Sequence, residues 1–359
     1  MSVSMLSEQL MKAGVYTEVY TTTANGKVEL DVKPGKASQV EGVTVTYFKR
    51  LTKDHTHFSP ALFKKLWMQV KQFDVVHIHA WWNLVSLFSS LIALSRGIPV
   101  VISPRGTLSP YSFQNKNIGT KWAIHNFLGQ FLLKKSHIHA TSDREKEAVL
   151  ALIQSTKITI LPNFVKLPVK QTPIIIQSSA SLRLLFFSRI EHKKGLEILF
   201  EALPMVTMPY TLSIAGDGEQ SYIEQLKGIA GKNNIAEKIT WLGFQTENKF
   251  KILNEYDLFV LPSYDENFGN AVIESLSVGT PVLISEDVGL ASYVQENGLG
   301  WICKTTPASV SGLLNQIADD DHGKIDKIRK TAPDIIYHDF EESHLVNRYV
   351  DMYNEIIKK

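Results

Sequence analysis

Short β-rich runs alternate with helical stretches along nearly the whole chain, and the alternation occurs twice. In the first half "TEVYTTT", "VTVTYF", "DVVHIHA", "IPVVISP", "SHIHATS" and "KITILPN" read as strands, with "SPALFKKLWMQVKQF" and "LVSLFSSLIALSRG" as helices between them. In the second half the strands are "LRLLFFSR", "YTLSIAGDG", "KITWLGF", "YDLFVLPS" and "TPVLIS". Strands that alternate with helices build parallel sheets covered on both faces, which excludes all-α and all-β architectures. Two series predict two Rossmann-like domains facing a central cleft, because loops at the carboxyl ends of open parallel sheets bind ligands. The stretch "VKLPVKQTPIIIQSSAS", with three prolines and a serine cluster, is the linker candidate. It sets an expected first domain at 1–165 and a second at 166–335.

At 359 residues two domains are the natural expectation, and 44% hydrophobic with 21% charged residues is an ordinary globular composition. Cys303 is the single cysteine, which rules out an internal disulfide and fits a reducing compartment. No apolar run reaches the roughly 18 residues needed to span a bilayer. The expected location is therefore the cytoplasm. Residues 1–163 hold 19 Lys+Arg against 10 Asp+Glu, a balance of +9, and the remainder holds 19 against 26, a balance of −7. A basic half suggests an anionic partner such as a membrane surface or lipid phosphate; an unevenly charged solvated surface is the plain alternative.

The chain opens on "MSVSMLSEQLMKAG", an amphipathic helix closed by Gly14, where such an alternation should open on a buried strand and a glycine turn. The expectation is that a strand and a Gly-rich turn of about 15–20 residues precede Met1 in the intact protein.

Three stretches carry candidate chemistry. In "LLFFSRIEHKKGLEILFEAL", Arg189 follows a strand and Lys194 stands where a helix begins, two cations suited to a diphosphate; a pair of exposed basic residues is the plain alternative. In "IAGDGEQ", Gly216, Asp217 and Gly218 follow a strand and let backbone approach a flat ligand, or simply make a turn. Gly243 and Phe244 offer the same at the next strand end. In "DENFGNAVIESLSVGTPVLIS", Glu266 lies in a loop after a buried strand, and Phe268, Gly269 and Asn270 fall at a helix start whose free amides can donate. Glu274 follows a turn later; an ionised carboxylate accepts from adjacent sugar hydroxyls.

In these motifs, "SRIEHKKG", "IAGDGE", "LPSYDENFGNAVIESLSVGTPVLIS" and "LPNFV", the chain resembles the family 4 (group 1) retaining glycosyltransferases of the GT-B fold. The resemblance implies that Arg189 and Lys194 bind the donor diphosphate, that Glu266 contacts the donor sugar and Glu274 the ribose, and that the amides at 268–270 help hold them. It implies transfer of a hexose-type sugar with retention, from a nucleotide diphosphate sugar to a glycan or lipid-linked acceptor, without a bound metal or other cofactor. It also implies surface polysaccharide synthesis, and a last segment, 336–359, that crosses back to the first domain. A sugar-nucleotide epimerase, or a chain that binds donor without transfer, are the alternatives.

Many members carry a histidine where this sequence has Arg105, after "VVIS". Arginine cannot act as a base near neutrality but could stabilise phosphate or orient an acceptor; pairing with a nearby carboxylate is the alternative. His77 and His79 share one face of a strand, with no third ligand in the motif, so acceptor contact or packing outranks a metal site. Trp81 and Trp82 at the strand end could stack on a sugar, at least one of them being core. The stretch "NIGTKWAIHNFLGQFLLKKSH", with Lys121, Lys134 and Lys135, could touch an anionic membrane surface or pack on its own domain. Nucleic acid is not an expected partner.

Overall fold

A computed structural model describes residues 2–26, 28–52, 54, 56–114, 128–153, 157–170, 181–319 and 323–358. The chain divides into two compact units, Met1–Phe164 with Glu342–Lys359, and Val165–Glu341. The return to the first unit therefore begins at Glu342 and not at 336, because Ile336 and Phe340 belong to the core of the second unit.

The first unit carries β1 (Glu18–Thr22), the hairpin β2 (Ala24–Asn25) and β3 (Val28–Glu29), β4 (Ala37–Val40), β5 (Val43–Phe48), β6 (Val76–His79), β7 (Val100–Ser103), β8 (His137–Ala140) and β9 (Lys157–Ile160). These form two larger sheets, ordered β1-β5-β4 and β6-β7-β8-β9. The second is parallel throughout, with His79 opposite Ser103. Among the described strands β1 and β6 each end a sheet, and both are mostly half-buried, whereas the inner strand β7 is buried at every position. Caps fix the helices that follow the strands: Asn83 accepts from Ser86 N–H at helix Leu84–Ser95, and Ser142 accepts from Glu145 N–H at helix Asp143–Leu152. The C-terminal helix Glu342–Ile357 packs Leu345, Tyr349 and Met352 with Met5, Leu6 and Leu10 of the first helix, Ser2–Lys12. An apolar stripe at helical spacing on each explains the pairing.

The second unit holds one six-stranded sheet of β10 (Leu182–Phe187), β11 (Tyr210–Ala215), β12 (Ile239–Gly243), β13 (Leu258–Leu261), β14 (Val282–Ser285) and β15 (Gly300–Cys303). Its order is β12-β11-β10-β13-β14-β15, and every pair is parallel. Strands β13 and β14 are buried at all positions, as their continuous apolar runs require when helices cover both faces. Chain direction across the sheet reverses between β10 and β13. That is the switch point at which the loops leaving two neighbouring strands part and open a crevice. The linker candidate lies mostly at 171–180, outside the described residues.

Candidate active site

The loops after β10 and β13 flank the switch point, and each supplies one member of an ion pair. Lys194, in a short turn before helix Leu196–Ala202, is buried and hydrogen-bonds Glu266 of the loop after β13. The approach depends on Gly195, whose φ is +70° and whose added Cβ would lie 2.1 Å from Pro262 O. Glu266 is fixed through its backbone: its N–H donates to Asp287 O (3.1 Å), and its carbonyl accepts from Gly289 N–H (2.8 Å). Burial pushes the Glu266 carboxyl up. The adjacent Lys194 charge and hydrogen bond, with Lys193 and the Phe268 amide, more than offset this and hold it below the ordinary carboxylate range.

Gly269 (φ +99°) caps helix Asn270–Ser277, and Asn270 is its first residue. Glu274 is buried inside that helix and accepts from Lys249 Nζ at 2.7 Å. Burial raises the Glu274 carboxyl, Lys249 opposes the rise, and the net direction is upward. Arg189 stays apart from these pairs. Its exposed side chain bridges to Glu191 at 2.6 Å, so the two cations expected to act together are separately engaged.

Arg189, Gly216, Asp217, Gly218 and Phe244 meet elsewhere, around a pocket of about 540 Å³ at the ends of β10 and β11. The glycines there serve the protein's own backbone first. A Cβ on Gly216 would lie 1.9 Å from Ser188 O, and one on Gly218 2.1 Å from Ile190 O. Gly243 accepts from Gly216 N–H (2.8 Å), and Phe244 projects an exposed ring. The side chain of Phe268 is not a lining group: it is buried in the core of the second unit, edge-on to Phe340. Only its amide faces the site.

In the first unit, β6 to β8 gather a polar cluster beneath their carboxyl ends. His77 Nδ1 lies 2.6 Å from Tyr353 Oη, and His77 Nε2 lies 2.6 Å from Ser103 Oγ. Ser103 Oγ lies 2.6 Å from His139 Nδ1, whose Nε2 is 2.9 Å from Leu161 O. A carbonyl only accepts, so His139 Nε2 carries the proton, and each step back is then fixed. Ser103 donates to His139, His77 Nε2–H donates to Ser103, and Tyr353 donates to His77. All three members between the tyrosine and the carbonyl are neutral. Burial, with the charge of Arg105, pushes His139 down to about 3; burial likewise pushes His77 and His79 well below the usual imidazole range.

Arg105 donates to Asn163 Oδ1 and lies 3.4 Å from His79 Nδ1, and among the described residues it forms no ion pair with a carboxylate. It adopts φ +55°, a left-handed conformation uncommon for a side-chain-bearing residue. Trp81 is fully buried in the first unit's core and is not available to stack on an acceptor. Trp82 is half-buried and donates to Thr107 O. The basic stretch 117–137 lies largely outside the described residues; its described helix Gln130–Lys135 buries Leu132 and Leu133 and exposes Phe131. Among the described residues no three of His, Cys, Asp and Glu are grouped to hold a metal, and no helix is long and apolar enough to cross a membrane.

Lys249, Ser103, His139, Tyr349 and Tyr353 were not among the sequence candidates. A signal existed for one: His-Ile-His-Ala occurs at both 77–80 and 137–140. Lys249 stands in no motif, and the tyrosines come from a helix distant in sequence.

Sequence models of two families match the chain: "Glycosyltransferase Family 4" over residues 1–167 and "Glycosyl transferases group 1" over 172–334. The chain is a glycosyltransferase, its second half matching the group 1 model. A Klebsiella pneumoniae protein described as an uncharacterized 41.2 kDa protein in the cps region is 23% identical over 96% of this chain and 97% of its own length. The Escherichia coli O-antigen biosynthesis glycosyltransferase WbnH is 28% identical over 50% of this chain and 49% of its own. With other curated relatives the shared stretch is 32% or 44% of their length. Among solved structures, Anabaena HepE in complex with UDP and glucose superposes with a TM-score of 0.73 at 17% identity, covering 99% of this chain and 96% of that one. That likeness establishes the GT-B fold for this glycosyltransferase.

Proposed function

We propose that the enzyme moves a hexose-type sugar, with retention, from a nucleoside diphosphate sugar held by the second unit to a glycan or lipid-linked acceptor bound by the first. The observation that carries this reading is the Lys194–Glu266 pair at the switch point, one partner from each flanking loop. Lys194 and Arg189 would neutralise the charge that grows on the departing diphosphate, where a fixed cation contributes most. Glu266, held ionised, would accept from hydroxyls of the sugar, and Glu274 from the ribose. The pocket edged by Gly216, Gly218 and Phe244 would take the base. Arg105 and His79 would orient the acceptor, with Trp82 at its margin. No metal or other cofactor is part of this reading. The O-antigen role named for the Escherichia coli relative and the UDP and glucose named for the Anabaena protein support a surface polysaccharide setting and a nucleotide donor. The +9 balance of residues 1–163 supports peripheral contact with an anionic membrane surface.

Two measurements test it. A thermal-shift panel of nucleoside diphosphates and their sugars should give a stabilising ligand, since binding to the native state alone raises its melting temperature. Calorimetry with the best diphosphate should then show Glu274→Ala weakened and Glu266→Ala close to the parent, while transfer fails in Glu266→Ala. Equal loss of bare-diphosphate affinity in both variants would overturn the division of roles. The anomeric configuration of the product, read by NMR, tests retention.

A further inference from the structure

Glu274 sits in an awkward place for the work proposed for it. Every residue from Val272 to Ser277 of its helix is buried, so its carboxyl is removed from water and drawn toward the neutral acid. A neutral carboxyl is a poorer acceptor for hydroxyl donors than a carboxylate. Lys249 begins helix Lys249–Asn254, which packs beside helix Asn270–Ser277. Its Nζ lies 2.7 Å from Glu274 Oε1 and 4.7 Å from the centre of the Phe250 ring, and the two charged side chains are 18% and 9% exposed. Among the described residues Glu274 Oε2 has no hydrogen-bond partner.

Other elements packed against this helix bring no competing charge. Arg329, from helix Gly323–Asp339, is turned to Tyr256 O (2.9 Å) and Asp257 (3.8 Å). Strand β14 contributes only Val282, Leu283, Ile284 and Ser285, whose hydroxyl donates to Ser263 O (2.5 Å). Among the described residues Lys249 is thus the one charge set against the carboxyl.

We propose that Lys249 is a positioning residue of the donor site, which keeps Glu274 ionised and occupies Oε1 so that Oε2 is the atom presented to the ribose. This rests on the reading of Glu274 as the ribose acceptor. Because Lys249 acts through another residue, its loss should be conditional on that residue and on pH.

The test is calorimetric titration with whichever of ADP, CDP, GDP, TDP and UDP gives the largest thermal shift, on the full chain, from pH 6 to 9. Lys249→Gln should lose about tenfold or more in affinity at pH 7, the scale of one charge-assisted hydrogen bond. The loss should shrink as pH rises and Glu274 ionises without help, whereas the parent's pH midpoint lies lower. Lys249→Arg should restore most of the affinity. Adding Lys249→Gln to Glu274→Gln should cost nothing further, and this double variant carries no unpaired buried charge, so it keeps the test alive if the single variant does not fold. A tight Lys249→Gln at pH 7, or an equal loss from it in the Glu274→Gln background, overturns the proposal while leaving the ribose reading standing. Full affinity in Glu274→Gln overturns the ribose reading and Lys249 with it.

Discussion

In the second unit the chemistry-bearing side chains meet as pairs of opposite charge, Lys194 with Glu266 and Lys249 with Glu274. In the first unit the polar cluster under β6 to β8 is a neutral chain, Tyr353 to His77 to Ser103 to His139 to a carbonyl, with Arg105 above it. The contrast follows from what each could bind. A diphosphate carries charge that must be met by fixed cations, and those cations need carboxylate partners to remain buried without ligand. A sugar or lipid acceptor is mostly neutral, so a directional hydrogen-bonded scaffold suffices to aim one cation. If the comparison holds, damage to the second unit's pairs should cost turnover, and damage to the first unit's chain should cost stability.

The largest effect expected is Lys194→Met. It removes the buried cation proposed to face the diphosphate and leaves the half-buried Glu266 without its partner, so transfer should fall by about 10²–10³-fold, the scale of losing one oriented charge stabiliser. Stopped-assay release of nucleoside diphosphate reads it directly. Parental turnover in Lys194→Met would place the diphosphate elsewhere and end the contrast.

Acid should separate the two units. The histidines of the first unit ionise near 6.5 when unfolded, whereas in the fold His139 does so only at about 3 and His77 and His79 well below their usual value. Below about 6.5 the unfolded chain binds more protons than the folded one, so stability falls as pH falls, by about 1.4 kcal/mol per pH unit for each such histidine. Glu266 works in another window: its depressed value gives stability that is present above the ordinary carboxylate range and lost only as pH falls through and below it. Urea unfolding followed by hydrogen exchange at pH 7 and pH 5 should therefore show the first unit weakened and the second nearly unchanged. His139→Gln should flatten the slope by one proton. Parallel loss in both units would break the comparison.

The same contrast explains what could be read in advance. Glu266, Gly269 and Glu274 fall within nine residues after one strand, so a loop and the helix it enters spell the proposed donor site locally. Lys249 was illegible because its partner is 25 residues away on a separate helix. The neutral chain was harder still, since Tyr353 reaches His77 across 276 residues. The neighbours Trp81 and Trp82 show a further limit, the first fully buried and the second half-buried: beside a site, adjacent residues turn to opposite sides, and motif position does not say which. The short strands β4 and β15 escaped notice because "ASQV" is polar and exposed and "GWIC" begins on a glycine. That glycine is needed where β15 approaches β14, as a Cβ at Gly300 would lie 2.1 Å from Val282 O.

The smallest effects concern two tyrosines that share the C-terminal helix and differ in what they leave behind. Among the described residues Tyr353 alone donates to His77 Nδ1, at 2.6 Å, and His77 cannot turn its other nitrogen to the task because Nε2–H is committed to Ser103. Tyr353→Phe therefore leaves a half-buried acceptor unmet and should cost about 1–3 kcal/mol. Tyr349 donates to Pro162 O at 3.0 Å and lies 3.1 Å from His139 Nε2, but His139 keeps its bond to Leu161 O when the hydroxyl is gone. Its stacked ring against Phe164 also survives the change to phenylalanine. Tyr349→Phe should cost only about 0.5–1.5 kcal/mol, the ordinary net worth of one hydrogen bond. Urea midpoints of the two variants at pH 7 decide the order. Tyr349→Phe costing more than Tyr353→Phe would mean that the chain of donors does not run from Tyr353 through His77, and with it the assignment of His139 as a neutral Nε2–H imidazole would fall.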